Sequence, residues 1–220
     1  QTWISEIMLQ QTTVEAVIPY FHKFTAKWPT IKKLSESNIE EIMDAWSGLG
    51  YYSRAKNIHK AAKIITKEYN DQIPNNYDEL IKLPGIGPYT AAAISSICFN
   101  EKRAVVDGNV YRILARVFNI YTATNSSNGI KTFQKLANYL ISETNPGDYN
   151  QGLMDIGATI CKPKIPKCNL CPLKSICIAY DNNTINGLPV KIKKTKIKQR
   201  YLHYLCVEYN GEFLMKKRTQ

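Results

Sequence analysis

An all-α fold is predicted for most of this chain, and three observations predict it. Apolar residues recur at helical rather than strand period in segments 3–27, 38–47, 51–69, 89–99, 107–118, 130–143 and 149–160. Glycines and prolines punctuate the joints, at Pro29, Gly48, Gly50, Pro84, Gly85, Gly87, Pro88 and Pro146. The character changes only after Cys177, where a basic stretch leads into two β-rich runs around Asn210-Gly211, the strongest short hairpin signal.

Taken in order, the first segment sets Trp3, Ile7, Val14, Ile18 and Phe21 along one stripe, which reads as a single helix over 3–27. It starts without a cap, as if the helix were already under way. In the fifth segment Val110, Ile113, Leu114 and Val117 form a similar stripe. Residues 1–185 are therefore expected to form one helical domain. Residues 186–200 contain LPVKIKKTKIKQR, a proline-interrupted run without helical period, and read as a basic linker. Residues 201–220 read as the beginning of a further domain cut short, because a two-stranded hairpin is marginal alone.

Composition narrows the function classes. With 220 residues, 44% of them hydrophobic, the chain can bury a core. Lys+Arg number 29 against 18 Asp+Glu, a net charge of +11, which favours polyanionic partners such as nucleic acid. No run of about 18 apolar residues occurs and the first ten residues lack a signal-peptide pattern, so an intracellular protein is expected. Four of the six cysteines crowd into 161–177; Cys98 and Cys206 stand alone in apolar surroundings and read as buried thiols.

Five motifs carry chemistry. In Cys161-x6-Cys168-x2-Cys171-x5-Cys177, four thiolates share one short loop, which suits a [4Fe–4S] cluster better than the paired knuckles of a zinc site. Lys162, Lys164, Lys167 and Lys174 make that loop a cationic surface for phosphates. In LPGIGPYT (83–90), Gly85 and Gly87 permit a tight turn between helices. Its N–H groups, together with the following helix N-terminus at Thr90, can hold a DNA phosphate, although an isolated turn of this kind is also common in helical proteins. In VVDGNVYR (105–112), Asp107 or Asn109 can be a helix cap, or the carboxylate can stabilise a cationic transition state. Glu6, in SEIMLQQTT (5–13), adjoins an apolar stripe; burial there would raise its pKa and suit it to be an acid, whereas a surface position would make it inert. In GLGYYSRA (48–55), Tyr51 and Tyr52 either pack or supply a flat wedge for a base stack.

In this order the strings SE-x-MLQQT, GLGYY-x-R, LPG-x-G-x-YT and VDGNV and the cysteine spacing resemble the helix–hairpin–helix iron–sulfur glycosylase superfamily, in detail its MutY family of adenine DNA glycosylases, over residues 1 to about 185. The resemblance implies a helix–hairpin–helix glycosylase fold, its hairpin near 78–99 and its [4Fe–4S] loop at 161–177, and a tail resembling the start of an α+β Nudix-like domain that recognises 8-oxoguanine. It implies a monomeric, DNA-associated enzyme that excises adenine opposite 8-oxoguanine or guanine in double-stranded DNA. By the same carry-over Glu6 protonates adenine N7 and Asp107 stabilises the sugar oxocarbenium ion. Tyr89 and Asn109 position them, Gln151 bonds the adenine edge, Leu9 and Met154 pack its faces, and Gln11 and Tyr51 fill the duplex gap. Tyr89 stands where endonuclease III-type enzymes carry a Schiff-base lysine, and a phenol cannot do that chemistry, so a glycosylase without efficient lyase activity is expected. The competing readings are a thymine or uracil mismatch glycosylase and a non-catalytic iron–sulfur DNA-binding protein.

Overall fold

The computed structural model describes residues 1–192, 201 and 205–215. Eleven α-helices occur among them: α1 (Thr2–Leu9), α2 (Val14–Lys27), α3 (Ile31–Glu36), α4 (Ile39–Ala45), α5 (Ser53–Glu68), α6 (Tyr77–Leu80), α7 (Pro88–Phe99), α8 (Gly108–Val117), α9 (Ser127–Leu140), α10 (Pro146–Thr159) and α11 (Ile178–Asp181). A two-stranded antiparallel hairpin, β1 (Glu208–Tyr209) and β2 (Glu212–Phe213), turns at Asn210-Gly211 as the sequence predicts. Parts of the predicted linker (193–200) and of the tail (202–204 and 216–220) lie outside the described residues. Among the described residues no helix is long and apolar enough to cross a membrane.

Local chemistry explains most boundaries. Side chains of Thr13, Thr30, Asn38, Asn76, Asp107 and Ser126 each accept a backbone N–H in the first turn of the helix they precede. Pro88 and Pro146 occupy the first helical positions of α7 and α10, where their missing N–H is no loss. Asn100 closes α7 in the left-handed conformation.

The helices bury two large apolar cores with α7 between them, and a small third cluster forms around Ala92, Ala93 and Val105. Trp3, Ile7 and Met8 of α1 join Phe24, Ile42, Trp46, Ile58 and Ile65 in the first, where the Phe24 ring meets the Trp28 and Trp46 rings at centroid distances of 4.7 and 5.8 Å. Val110, Leu114, Phe133, Ala137 and Ala179 make the second. Helix α7 packs on α1 and α6 on one side and on α10 on the other, and it is buried on nearly every face, which is why its sequence, PYTAAAISSICF, lacks a polar stripe.

Four expectations need correction. The helix predicted over 3–27 is two helices, because the polar run Gln10–Thr13 leaves the helix and Thr13 caps a new one. Its supposed stripe breaks accordingly: Trp3 and Ile7 are buried, but Val14 and Ile18 are exposed. Cys98 and Cys206 are also exposed, not buried; Cys98 sits in the last turn of α7, where the helix emerges from between the cores. Finally, the described start of the linker is docked. Leu188 is buried, Thr124 donates its N–H to the Val190 carbonyl at 3.0 Å, and Asn125 and Ile192 exchange hydrogen bonds at 2.8 and 2.9 Å.

Candidate active site

A cleft of about 430 Å³ opens where the two cores face each other, lined by Glu6, Leu9, Gln10, Gln11, Tyr89, Val106 and Asp107. Each wall contributes one carboxylate. Glu6 comes from α1, whose buried face anchors it in the first core. Asp107 comes from the loop before α8, whose apolar stripe anchors it in the second. Tyr89, in the first turn of α7, stands between them.

The carboxylates are held by different physics. Burial is the largest influence on Glu6 and pushes its pKa above the usual carboxylate range; the charge of Asp107 adds to the rise, and a hydrogen bond from Tyr89 opposes it. Asp107 is instead saturated with donors. Its Oδ1 accepts the N–H groups of Asn109 and Val110 at 2.9 and 2.8 Å, and its Oδ2 accepts Asn109 Nδ2 at 2.8 Å. The helix N-terminus behind these donors favours a negative charge. Burial and both neighbouring carboxylates push the Tyr89 phenol far above its ordinary pKa, so it keeps its proton as a donor at all working pH values. Its oxygen lies 3.4 Å from Met154 Sδ.

A chain of buried arginines stands behind the Asp107 wall. Arg112 Nη2 donates to Asn109 Oδ1 and to the Gly157 carbonyl, both at 2.8 Å, while its Nε donates to the Cys161 carbonyl at 2.5 Å. This fixes the Asn109 amide so that its nitrogen faces Asp107. Gly157 lets α10 approach: a Cβ there would run into the Asn109 side chain. Arg116 continues to the cysteine loop, donating to Cys161 Sγ at 3.3 Å and to the carbonyls of Lys162, Pro163 and Leu188. Cys161, Cys168, Cys171 and Cys177 line one cavity with Ile113, Val117 and Ile160, although among the described residues no three histidine, cysteine or acidic side chains converge as they would around a single ion.

Glu6, Leu9, Gln11, Tyr89 and Asp107 thus meet in one cleft, with Asn109 and Met154 directly behind. Gln151 does not line it; it is exposed on α10 and donates to Asp155 Oδ1 at 2.9 Å. Tyr51 lies outside the cleft, 55% exposed. Gly85 takes the left-handed φ of +81° that its turn requires, and Gly87 caps α7. Thr90 is buried and its hydroxyl accepts Gln10 Nε2 at 3.2 Å, so its side chain joins the hairpin to α1.

Sequence reasoning missed Arg54, Arg112, Arg116 and Asn150. Asn150 is 1% exposed and ties α10 to the segment before Asp107, accepting Val105 N–H at 3.0 Å and donating to the Arg103 carbonyl at 2.8 Å. Arg54 and Arg112 do fall within the glycine-rich and VDGNV strings, which was the available signal.

Comparison with known proteins places this architecture. Residues 4–139 match the family model described as the HhH-GPD superfamily base excision DNA repair protein. The chain is 46% identical over 224 residues to an adenine DNA glycosylase of Buchnera aphidicola subsp. Schizaphis graminum, an alignment that covers 100% of this chain but 63% of that protein. Among solved structures, it is similar to a thermostable thymine-DNA glycosylase, with a TM-score of 0.75 and 31% identity over 82% of this chain and 83% of that one. It is similar also to endonuclease III in a non-covalent DNA complex, with a TM-score of 0.71 and 25% identity over 83% and 84%. With a helical hairpin, a two-walled cleft and a family model matching more than half its length, the chain belongs to the HhH-GPD superfamily of base excision DNA repair proteins.

Proposed function

We propose that the chain cleaves the N-glycosidic bond of adenine mispaired with guanine or 8-oxoguanine in duplex DNA. The observation that carries this reading is the pairing of Glu6 and Asp107 across one cleft in opposite environments. Two carboxylates in different surroundings can divide the roles of acid and charge stabiliser, as in other glycosyl hydrolyses. Glu6, whose burial favours its protonated form, gives its proton to N7 of the extruded adenine and turns the base into a leaving group. Asp107 faces the sugar as positive charge builds on it, its own geometry fixed by Asn109 and the α8 N-terminus. Tyr89 stands beside Glu6 in the cleft and offers no amine, so release of the base by water, without strand scission, is the expected outcome. Adenine is favoured over thymine by the higher identity to an adenine glycosylase, 46% against 31%, and by the acid itself, since adenine N7 is a ready proton acceptor. Single-turnover excision from A opposite G, A opposite 8-oxoguanine and T opposite G duplexes tests it; faster loss of thymine than of adenine overturns it.

The cysteine loop fits a [4Fe–4S] cluster held by Cys161, Cys168, Cys171 and Cys177. Four thiols line one apolar cavity of a short loop, and four thiolates are the donor set that such a cluster takes. Bound there, it would supply a rigid cross-link between α10, the loop and α11. The Arg116 guanidinium on Cys161 Sγ is the kind of donor that cluster sulfurs accept. Cys168→Ser is expected to lower iron content and to loosen the loop; stoichiometric zinc in protein made with ample iron would overturn the assignment.

A further inference from the structure

Two residues, Gln11 in the wall of the cleft and Tyr51 outside it, hold a backbone conformation that side chains rarely adopt. Gln11 has φ +58° and Tyr51 has φ +48°; both are exposed, and they come from segments far apart in sequence. Such strain persists only where the surroundings enforce it. The enforcing group is Arg54, which is 5% exposed. Its Nη1 donates to the carbonyls of Ile7, Met8 and Gln10 at 3.2, 2.5 and 2.7 Å. Its Nη2 donates to the carbonyls of Leu49 and Gly50 at 3.3 and 3.1 Å. The Gln10 carbonyl belongs to the peptide that enters Gln11, and the Gly50 carbonyl to the peptide that enters Tyr51. One guanidinium therefore grips the two peptide planes that aim these side chains.

The surroundings reinforce that grip. The guanidinium carbon sits 5.3 Å from the Tyr51 ring centroid and 5.4 Å from that of Trp46, whose Nε1 also donates to the Gly50 carbonyl. From the other side, Gln10 Nε2 donates to the Gly85 carbonyl at 3.3 Å and to Thr90 Oγ1, which fastens the Gln11 segment to the helical hairpin.

We propose that Arg54 is a positioning residue that fixes the spacing and aim of Gln11 and Tyr51, so that the two enter a duplex as one rigid wedge. The inference rests on the reading of those two residues as gap fillers. Arginine is needed because a planar fork of donors reaches carbonyls on two sides at once, whereas a lysine ammonium is a point donor. Arg54 itself touches neither Glu6 nor Asp107 in this arrangement and acts through the backbone of the wedge.

Arg54→Lys in the full chain tests this, because it keeps the charge and loses the fork. Without DNA, amide exchange in 9–13 and 48–52 is expected to quicken together by about tenfold, with α8 unchanged; loss of protection in one segment or in neither overturns the clamp. With a 2-aminopurine target opposite guanine, the fluorescence gain on extrusion is expected to fall severalfold. Excision of adenine from a mispaired duplex is expected to fall about 10²-fold, yet less than about threefold when the adenine is already unpaired in a bubble. Equal losses on duplex and bubble, or normal extrusion, overturn the proposal. Failure of the underlying reading looks different: normal extrusion by a Gln11→Ala, Tyr51→Ala double variant would remove the wedge role, while the exchange result still decides whether Arg54 holds the two segments.

Discussion

The two walls of the cleft are built on opposite principles. The Glu6 wall rests on apolar burial: α1 presses Trp3, Ile7 and Met8 into a core of aliphatic and aromatic side chains, and the carboxylate at its edge is short of solvent. The Asp107 wall rests on a thinner core stitched by the guanidinium groups of Arg112 and Arg116, and its carboxylate is satisfied by three donors. The difference matches the chemistry proposed for each wall. An acid must hold a proton at a pH where a solvated carboxylate would have lost it, and desolvation does that. A counter-charge must keep its orientation and its charge while a cation forms beside it, and preorganised hydrogen bonds do that without reorganising.

The sharpest way to break this comparison is to remove the proton from the first wall alone. Glu6→Gln is expected to slow single-turnover adenine excision by about 10²–10⁴-fold, the usual span for a general acid, because the amide preserves shape but has no proton to give. Its fold should be intact, since no buried ion pair is lost. A variant that excises normally, or one that unfolds, would show that Glu6 is a structural element of α1 instead.

The second wall should break differently. Arg112→Met leaves the carbonyls of Cys161, Gly157 and Gly108 and the Asn109 side-chain oxygen without their donor. With hydrogen bonds to charged groups worth about 1.5–3 kcal/mol each and partial relaxation, a stability loss of about 3 kcal/mol is expected in urea unfolding. Excision should fall with it, because the Asn109 amide is freed to turn away from Asp107. A variant that loses stability but keeps full excision at low temperature would show that Asn109 needs no support from behind.

How much of this the sequence disclosed follows from what each residue bonds to. Helices with one apolar face, such as α5 and α8, the second also capped by Asp107, were legible because period and cap are local properties. The break between α1 and α2 was not, since Gln10–Thr13 is polar and compatible with a helical period, and the decisive events are the Thr13 cap and the Arg54 bonds from 40 or more residues away. Short α3 and α6 carried too few turns to show periodicity. In the site, the carboxylates were visible because their strings are distinctive. The buried arginines were not, because their partners are backbone carbonyls that carry no sequence signature until the fold assembles them. Gln151 is a different case: the family resemblance assigns it to the base, and in the DNA-free chain its amide donates to Asp155.

The smallest effect should be the most diagnostic of the first wall, because it needs no DNA. Glu6 has a folded-state pKa above its ordinary value, so between the two values the unfolded chain has released a proton that the folded chain still holds. Stability must then fall as pH rises through that window, by at most about 1.4 kcal/mol per pH unit for one proton. Below the ordinary carboxylate pKa, Glu6 is neutral in both states and imposes no penalty; above the raised value, the penalty is complete and constant. Glu6→Gln is neutral throughout. The variant should therefore match the parent chain at acid pH and become the more stable of the two as pH rises, the gap opening across the window and then holding. Excision by the parent chain should decline over the upper part of the same window if, as proposed, the acid form is the active one, and the variant's residual rate should show no such limb. Thermal melts of both chains from pH 4 to 8 measure the gap. If it is constant across that range, the difference belongs to packing, and if the variant is the less stable at neutral pH, the Glu6 carboxylate is paired more strongly than it is desolvated. Asp107 gives the control, because its donors come with the α8 N-terminus: Asp107→Asn loses the cap's charge and should be destabilised by about 1 kcal/mol at neutral pH, opposite in sign to the change at Glu6.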